Sequence, residues 1–363
     1  MKVAFRADAS LQIGTGHVMR CLTLARALVA RGHECAFLSR LHDGNLASYV
    51  RKEGFEVHEM PALGSTPAWS ATELAHASWL GVSQDVDAAQ SAVFLREWKP
   101  DWLVVDHYAL DQTWEDLTRG LRARLFVIDD LADRKHQCDA LLDQTLGRLA
   151  ADYEAFVPAG CSMFVGTSYA LLRPEFSQLR PYSLERRTSH KLEQILISMG
   201  GVDQQNATAA VLEALRVSTL EPSCRIEVVL GPTAPWLQQV RELATTMPFA
   251  TQVLAGVRDM ADRMANSDLA IGAAGSTSWE RCCLGVPTLM VVLAENQRPS
   301  ALALSQHGAA MLVGNPADVP SELPKALDAV MGTSRLGEMA SLAANVCDGL
   351  GAARIVDYLE TTS

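Results

Sequence analysis

Several things are missing from this sequence, and each absence removes a class of protein. The eight cysteines form no Cys-x-x-Cys pair and no Cys/His cluster at zinc spacing, so neither disulfides nor a structural metal is expected, and reduced thiols point to the cytoplasm. Apolar runs are short: the longest, 286–294, falls well below the roughly 20 residues that span a bilayer, so no stable membrane insertion is expected. Positive charge is scarce. With 31 Lys and Arg against 42 Asp and Glu the net charge is −11, the wrong sign for a general binder of nucleic acid or anionic membrane. Lys2, Arg6 and Asp8 interrupt the first apolar stretch before a signal-peptide core could form. There is no Gly-x-Ser-x-Gly elbow, His-Glu-x-x-His pair or Gly-Lys-Ser/Thr loop, which removes the serine-hydrolase, zinc-protease and P-loop readings.

What remains is a chain of 363 residues, 48% hydrophobic and 20% charged, with material for two packed domains. Short β-rich runs alternate with longer amphipathic stretches, the pattern of βαβ units around parallel sheets. Strands are expected at 3–6, 34–38, 55–59, 102–106, 125–129, 140–143 and 163–166, and in a second series at 194–199, 225–230, 251–254, 269–272, 288–293 and 310–313. The fold class is therefore α/β, with two Rossmann-like doubly wound domains facing a central cleft. They are expected at 1–175 and 176–363, with the polar stretch 180–190 as the hinge. A last helical stretch, 352–359, has no strand after it and is free to pack back on the first domain.

In doubly wound sheets, ligands sit beyond the carboxyl ends of the strands. Gly14-Thr15-Gly16-His17 lies in such a loop, where glycine lets a backbone approach a phosphate; a tight strand-to-helix turn is the plainer reading. His17 opens the following helix, where a neutral imidazole can accept a proton. Arg20 shares its face and suits either a phosphate or an acidic neighbour. In the second domain Gly275-Ser276-Thr277 follows a buried strand, with hydroxyls able to cap a helix and free amides suited to a pyrophosphate, while Glu280 can accept from two ribose hydroxyls. Glu295-Asn296-Gln297 offers a carboxylate and two amides for sugar hydroxyls or acetamido groups, and Asp106-His107-Tyr108 can orient a water or His17. Asp129-Asp130 lacks further oxygen ligands at loop spacing and reads as turn capping.

Taken in order, these residues resemble a known family. Arg6-Ala7-Asp8, Gly14 to Arg20, Asp106-His107-Tyr108, Ile128-Asp129-Asp130, Tyr169 to Arg173, Gly200-Gly201 with Asp203 and Asn206, Ala274 to Glu280, and Glu295-Asn296-Gln297 are similar to the motifs of the UDP-sugar hydrolases of pseudaminic acid biosynthesis. The resemblance implies a glycosyltransferase-B type of architecture, like that of the enzyme that adds GlcNAc to lipid I. It implies hydrolysis of UDP-2,4-diacetamido-2,4,6-trideoxy-β-L-altropyranose, with His17 as base, and Ser276, Thr277 and Glu280 as UDP ligands beside Gly275, Gly200 and Gly201. A small-molecule UDP-sugar is the implied partner, with no cofactor and no metal; the sequence names no protein partner. Extra sequence at 64–86, holding Trp69 and Trp79, departs from compact members of that family. Two other functions fit the same motifs: a UDP-sugar glycosyltransferase, and a nucleotide-sugar-binding protein without turnover.

Overall fold

The computed structural model describes residues 1–62, 74–121, 123–189, 191–332 and 334–362. Among them the chain divides into two units, Met1–Leu172 with Leu350–Ser363, and Arg173–Gly349. The first unit holds β1 (Lys2–Ala7), β2 (Glu34–Arg40), β3 (Glu56–Met60), β4 (Trp102–Asp106), β5 (Arg124–Ile128), β6 (Ala140–Asp143) and β7 (Ser162–Val165), in the order β3-β2-β1-β4-β5-β6-β7. The second holds β8 (Gln194–Ser198), β9 (Arg225–Leu230), β10 (Ala250–Ala255), β11 (Leu269–Ala273), β12 (Thr288–Val291) and β13 (Ala310–Gly314), in the order β10-β9-β8-β11-β12-β13. Every named pairing is parallel. Each expected strand is present within two residues, because strands covered on both faces read as near-continuous Val, Ile, Leu and Ala runs.

In both sheets the chain winds outward through three strands and then returns to the other side of the first. The reversal falls between β1 and β4 and between β8 and β11. Two apolar layers cover the first sheet, one with Leu22, Leu28, Trp102 and Phe126, the other with Leu38, Leu103, Trp114 and Tyr153. The helix Gly351–Thr361 adds Ile355, Val356 and Leu359 to the former layer, and its Asp357 and Glu360 pair with Arg31 at 2.5 and 2.9 Å.

Of the stretch 180–190, residues 180–189 are not a linker, and His190 lies outside the described residues. Residues Pro174–Arg186 form a helix that packs within the second unit, followed by a short 3-10 turn, Arg187–Ser189. Its polar side chains, which suggested a hinge, reach the last carbonyls of other helices. Arg180 donates to Cys283 O and Ala344 O at 2.5 and 2.7 Å, Ser183 to Leu284 O at 2.7 Å, and Arg187 to Ser267 O and Met264 O at 2.7 and 2.8 Å. Orphan carbonyls at helix ends need such donors. No helix among the described residues is long and apolar enough to cross a membrane.

Candidate active site

Each reversal of strand order opens a crevice, and sequence-predicted residues gather at both. After β1 the chain enters a turn in which Ser10 Oγ accepts from the N–H groups of Gln12 and Ile13 at 3.1 and 2.9 Å. Gly14 closes it at φ +79°, donating its N–H to Ser10 O at 2.9 Å, a left-handed conformation that favours glycine. The helix Gly16–Val29 follows at once and sets His17 in its first turn. A Cβ at Gly14 or Gly16 would meet nothing within 4 Å, so the space beside both is open.

Parallel pairing places Ala7 opposite Asp106, so the end of β4 meets the turn after β1. Asp106 Oδ1 accepts from His17 Nδ1 at 2.5 Å, and Arg20 donates Nε and Nη2 to Asp106 at 2.6 and 2.7 Å. Burial alone would push the Asp106 carboxyl up, but Arg20 and His17 outweigh it and hold it well below the usual carboxylate range. An ionised Asp106 only accepts, which puts the imidazole hydrogen on Nδ1 and leaves the lone pair on Nε2. His17 is therefore oriented to take a proton at Nε2.

Arg20 Nη1 goes to Asp130 at 2.5 Å, and Tyr108 OH donates to the same carboxylate at 2.8 Å. Of the two readings its position allowed, the structure gives Arg20 acidic neighbours. The Tyr108 ring meets His17 edge-on at 4.5 Å, Trp79 stacks on Tyr108 at 5.9 Å, and His76 lies 4.4 Å from Trp79. Trp79 and His76 thus complete an aromatic wall beside the imidazole. Trp69 and the rest of 63–73 lie outside the described residues.

His107 is not part of that wall. Successive residues leaving a strand face opposite ways, and His107 is buried, with Nδ1 accepting from Ala109 N–H at 3.0 Å and Nε2 lying 3.3 Å from Asp8. Burial pushes its basicity down despite Asp8. It borders an ion network the sequence did not reveal. Arg6 forks onto Asp8 at 2.6 and 2.8 Å and onto Asp87 at 3.0 and 2.7 Å, Arg40 donates to Asp87 at 2.5 Å, and Trp114 Nε1 to Asp87 at 2.9 Å. All four charged groups are fully buried.

In the second unit Gly200, at φ +86°, and Gly201 leave β8, with open space where a Cβ would stand. Asp203 accepts from the N–H groups of Ala207 and Thr208, both at 2.9 Å, and so caps the helix Ala207–Arg216. After β11, the loop through Gly275 leads into the two-turn helix Thr277–Cys283. The expected side-chain cap by Ser276 is absent: its backbone is already right-handed helical (φ −56°, ψ −27°), whereas capping calls for an extended residue. Ser276 is exposed instead. Glu280 is 17% exposed and faces Arg173 Nη2 at 3.8 Å. Burial pushes its carboxyl up to about 7, against the pull of Arg173 and Arg281 and with a small push from Glu175.

Of Glu295, Asn296 and Gln297, only Gln297 is brought to this loop: its Nε2 lies 3.8 Å from where a Gly275 Cβ would stand, while its Oε1 accepts from Leu293 N–H at 3.1 Å. Asn296 is exposed, and Glu295 pairs on the surface with Arg298 at 3.1 Å. Among the described residues, no group of three or more His, Cys, Asp or Glu side chains is arranged to hold a metal ion.

Residues 194–349 match the Glycosyltransferase family 28 C-terminal domain. Over 309 residues the chain is 26% identical to the UDP-2,4-diacetamido-2,4,6-trideoxy-beta-L-altropyranose hydrolase of Campylobacter jejuni, covering 85% of this chain and 97% of that protein. It is 25% identical to an uncharacterized protein of Methanocaldococcus jannaschii over 303 residues, 82% of this chain but only 57% of that longer protein. The crystal structure of Acinetobacter baumannii MurG superposes with a TM-score of 0.70 at 18% identity, covering 99% of each chain. The two parallel-sheet units thus have the glycosyltransferase-B-like, Rossmann-type fold.

Proposed function

We propose that this protein hydrolyses a UDP-sugar at the anomeric carbon, the second unit holding UDP and the first supplying the base. The observation that carries the reading is the His17–Asp106 pair at the β1/β4 reversal, with a lone pair directed to Nε2. Water attacks C1 as its proton passes to His17 Nε2, the C1–O bond breaks, and UDP leaves with the bonding electrons. UDP is a good leaving group already, so a positioned base and water suffice. Gly275, Ser276, Thr277, Gly200 and Gly201 offer amides and hydroxyls to the diphosphate, and Glu280 accepts from the ribose. Tyr108 and Trp79, beside His17, offer contacts to the sugar.

Both oxygens of Asp106 are engaged by His17 and Arg20, so it is not free as a nucleophile. A single displacement by water inverts the anomeric centre. The similarity to the Campylobacter jejuni hydrolase favours UDP-2,4-diacetamido-2,4,6-trideoxy-β-L-altropyranose as substrate, and the motif resemblance favours a place in pseudaminic acid biosynthesis. The match of 194–349 to a glycosyltransferase domain supports a second reading, transfer of the sugar to an acceptor other than water. Incubation with the UDP-sugar alone separates them: hydrolysis releases UDP without acceptor, and transfer does not.

Glu280 makes UDP binding depend on pH. Its carboxyl, at about 7 in the free protein, must be ionised to accept from two hydroxyls, so affinity is held above pH 7 and lost as pH falls through it. At pH 6 only about one carboxyl in eleven is ionised, and UDP is expected to bind about tenfold more weakly than at pH 8. Glu280→Gln removes this component and leaves only the titration of UDP's own terminal phosphate, at about pH 6. Calorimetric titrations across this range check it, and a flat wild-type profile removes the assigned role.

A further inference from the structure

Arg281 is a buried cation with no carboxylate in direct contact, and Glu280 attracts it only at longer range. Its side chain is 2% exposed, yet no carboxylate lies within ion-pair distance of it among the described residues, and the neighbouring Glu280 turns to Arg173 instead. Its guanidinium is held only by neutral acceptors: Nη2 donates to Ala273 O at 2.7 Å and Ser278 Oγ at 3.1 Å, and Nη1 to Thr277 Oγ1 at 3.3 Å. Arg281 Nε is buried without a hydrogen-bond partner. Burial draws its pKa down to about 10 against the pull of Cys282 and Glu280, which leaves it charged at neutral pH. A buried charge in such a setting is costly unless something of opposite sign answers it.

Its place in the fold says what answers it. The guanidinium lies where the ends of β8 and β11 meet, at the reversal of strand order: a Cβ on Gly272 would come within 2.6 Å of Arg281 Nη1 and 3.0 Å of Ser198 O. Glycine at 272 leaves the room the guanidinium fills. The loop it grips, Ala273 to Ser278, contains the proposed UDP ligands, so the charge sits under that loop, with all its hydrogen bonds to the loop's own atoms.

We propose that Arg281 is the buried positive charge that a bound diphosphate neutralises, a positioning residue that also shapes the Ala273–Ser278 loop for phosphate. The inference rests on the reading that this unit holds UDP. It assigns the specificity for two phosphates to a residue that need not touch them, since in a low-dielectric interior a charge acts beyond hydrogen-bond distance.

The test compares uridine, UMP and UDP by calorimetry on wild-type protein, Arg281→Gln and Arg281→Lys at pH 8, where Glu280 is ionised. In Arg281→Gln the UDP affinity is expected to fall about tenfold or more while uridine changes by less than about twofold. Arg281→Lys, which keeps the charge, is expected to retain most of the preference for UDP over uridine. Equal weakening of uridine and UDP in Arg281→Gln, or no change in either, overturns the proposal and leaves a structural clamp. Should Arg281→Gln not fold, Arg281→Lys decides: a lost preference for UDP overturns the inference, a kept one supports it. Wild-type protein that binds no UDP fails the underlying reading, a result distinct from all of these.

Discussion

In His17→Asn, release of UDP from the UDP-sugar is expected to slow by about 10²–10⁴-fold, the usual cost of removing a positioned general base, while UDP itself binds as before. Asparagine is close to imidazole in size and can still donate to Asp106 Oδ1, so the Asp106–Arg20–Asp130 arrangement stays in place. What it lacks is a lone pair of comparable basicity where Nε2 stood. UDP affinity is unaffected because its proposed ligands lie in the other unit. Steady-state turnover alongside a UDP titration checks both halves, and near-normal turnover in folded His17→Asn removes His17 as the base.

Asp87→Ala is expected to destabilise the first unit by about 3–5 kcal/mol, the typical cost of removing one partner from a buried ion pair. Asp87 accepts from Arg6 twice, from Arg40 and from Trp114, all at 3.0 Å or less, so its loss takes the carboxylate from Arg40 and leaves Arg6 only Asp8, in a dry interior. Burial would push its carboxyl up, but Arg6 and Arg40 overcome this and lower it below the ordinary range, with Asp8 opposing them. A lowered native carboxylate stabilises the fold above its unfolded pKa, near 3.9, and that contribution is lost as pH falls through the native value. Denaturant unfolding near neutral pH measures the loss, and a change below about 1 kcal/mol contradicts the account, as expected of a surface pair.

The two kinds of residue in these predictions differ in how visible they were. Asp106 ends β4 and His17 opens the helix after the β1 turn, places to which the rule for doubly wound sheets already directs attention, so local sequence singled out both. Asp87 lies in the helix Gln84–Trp98, 79 positions beyond Asp8, and nothing local tells its buried carboxylate from Asp85 on the surface. Arg281 was hidden for the same reason: an arginine one position after a helix-start glutamate reads as solvent-exposed until the fold turns it under the loop. The strands were legible because burial on both faces leaves continuous apolar runs. The helix Pro174–Arg186 was not, since its Arg180 and the following Arg187 serve as caps for other helices and look like linker in sequence. Trp79 was noticed only as extra sequence; its stacking on Tyr108 is a tertiary fact.

The chemistry is tested most directly by running the reaction in ¹⁸O-enriched water, with the UDP-sugar and no acceptor, and locating the label by mass spectrometry. Attack of water on C1, with His17 as base, places ¹⁸O in the anomeric hydroxyl of the freed sugar and none in UDP. Label in the β-phosphate of UDP would show attack on phosphorus and contradict the mechanism, and absence of turnover until an acceptor is added would contradict hydrolysis itself.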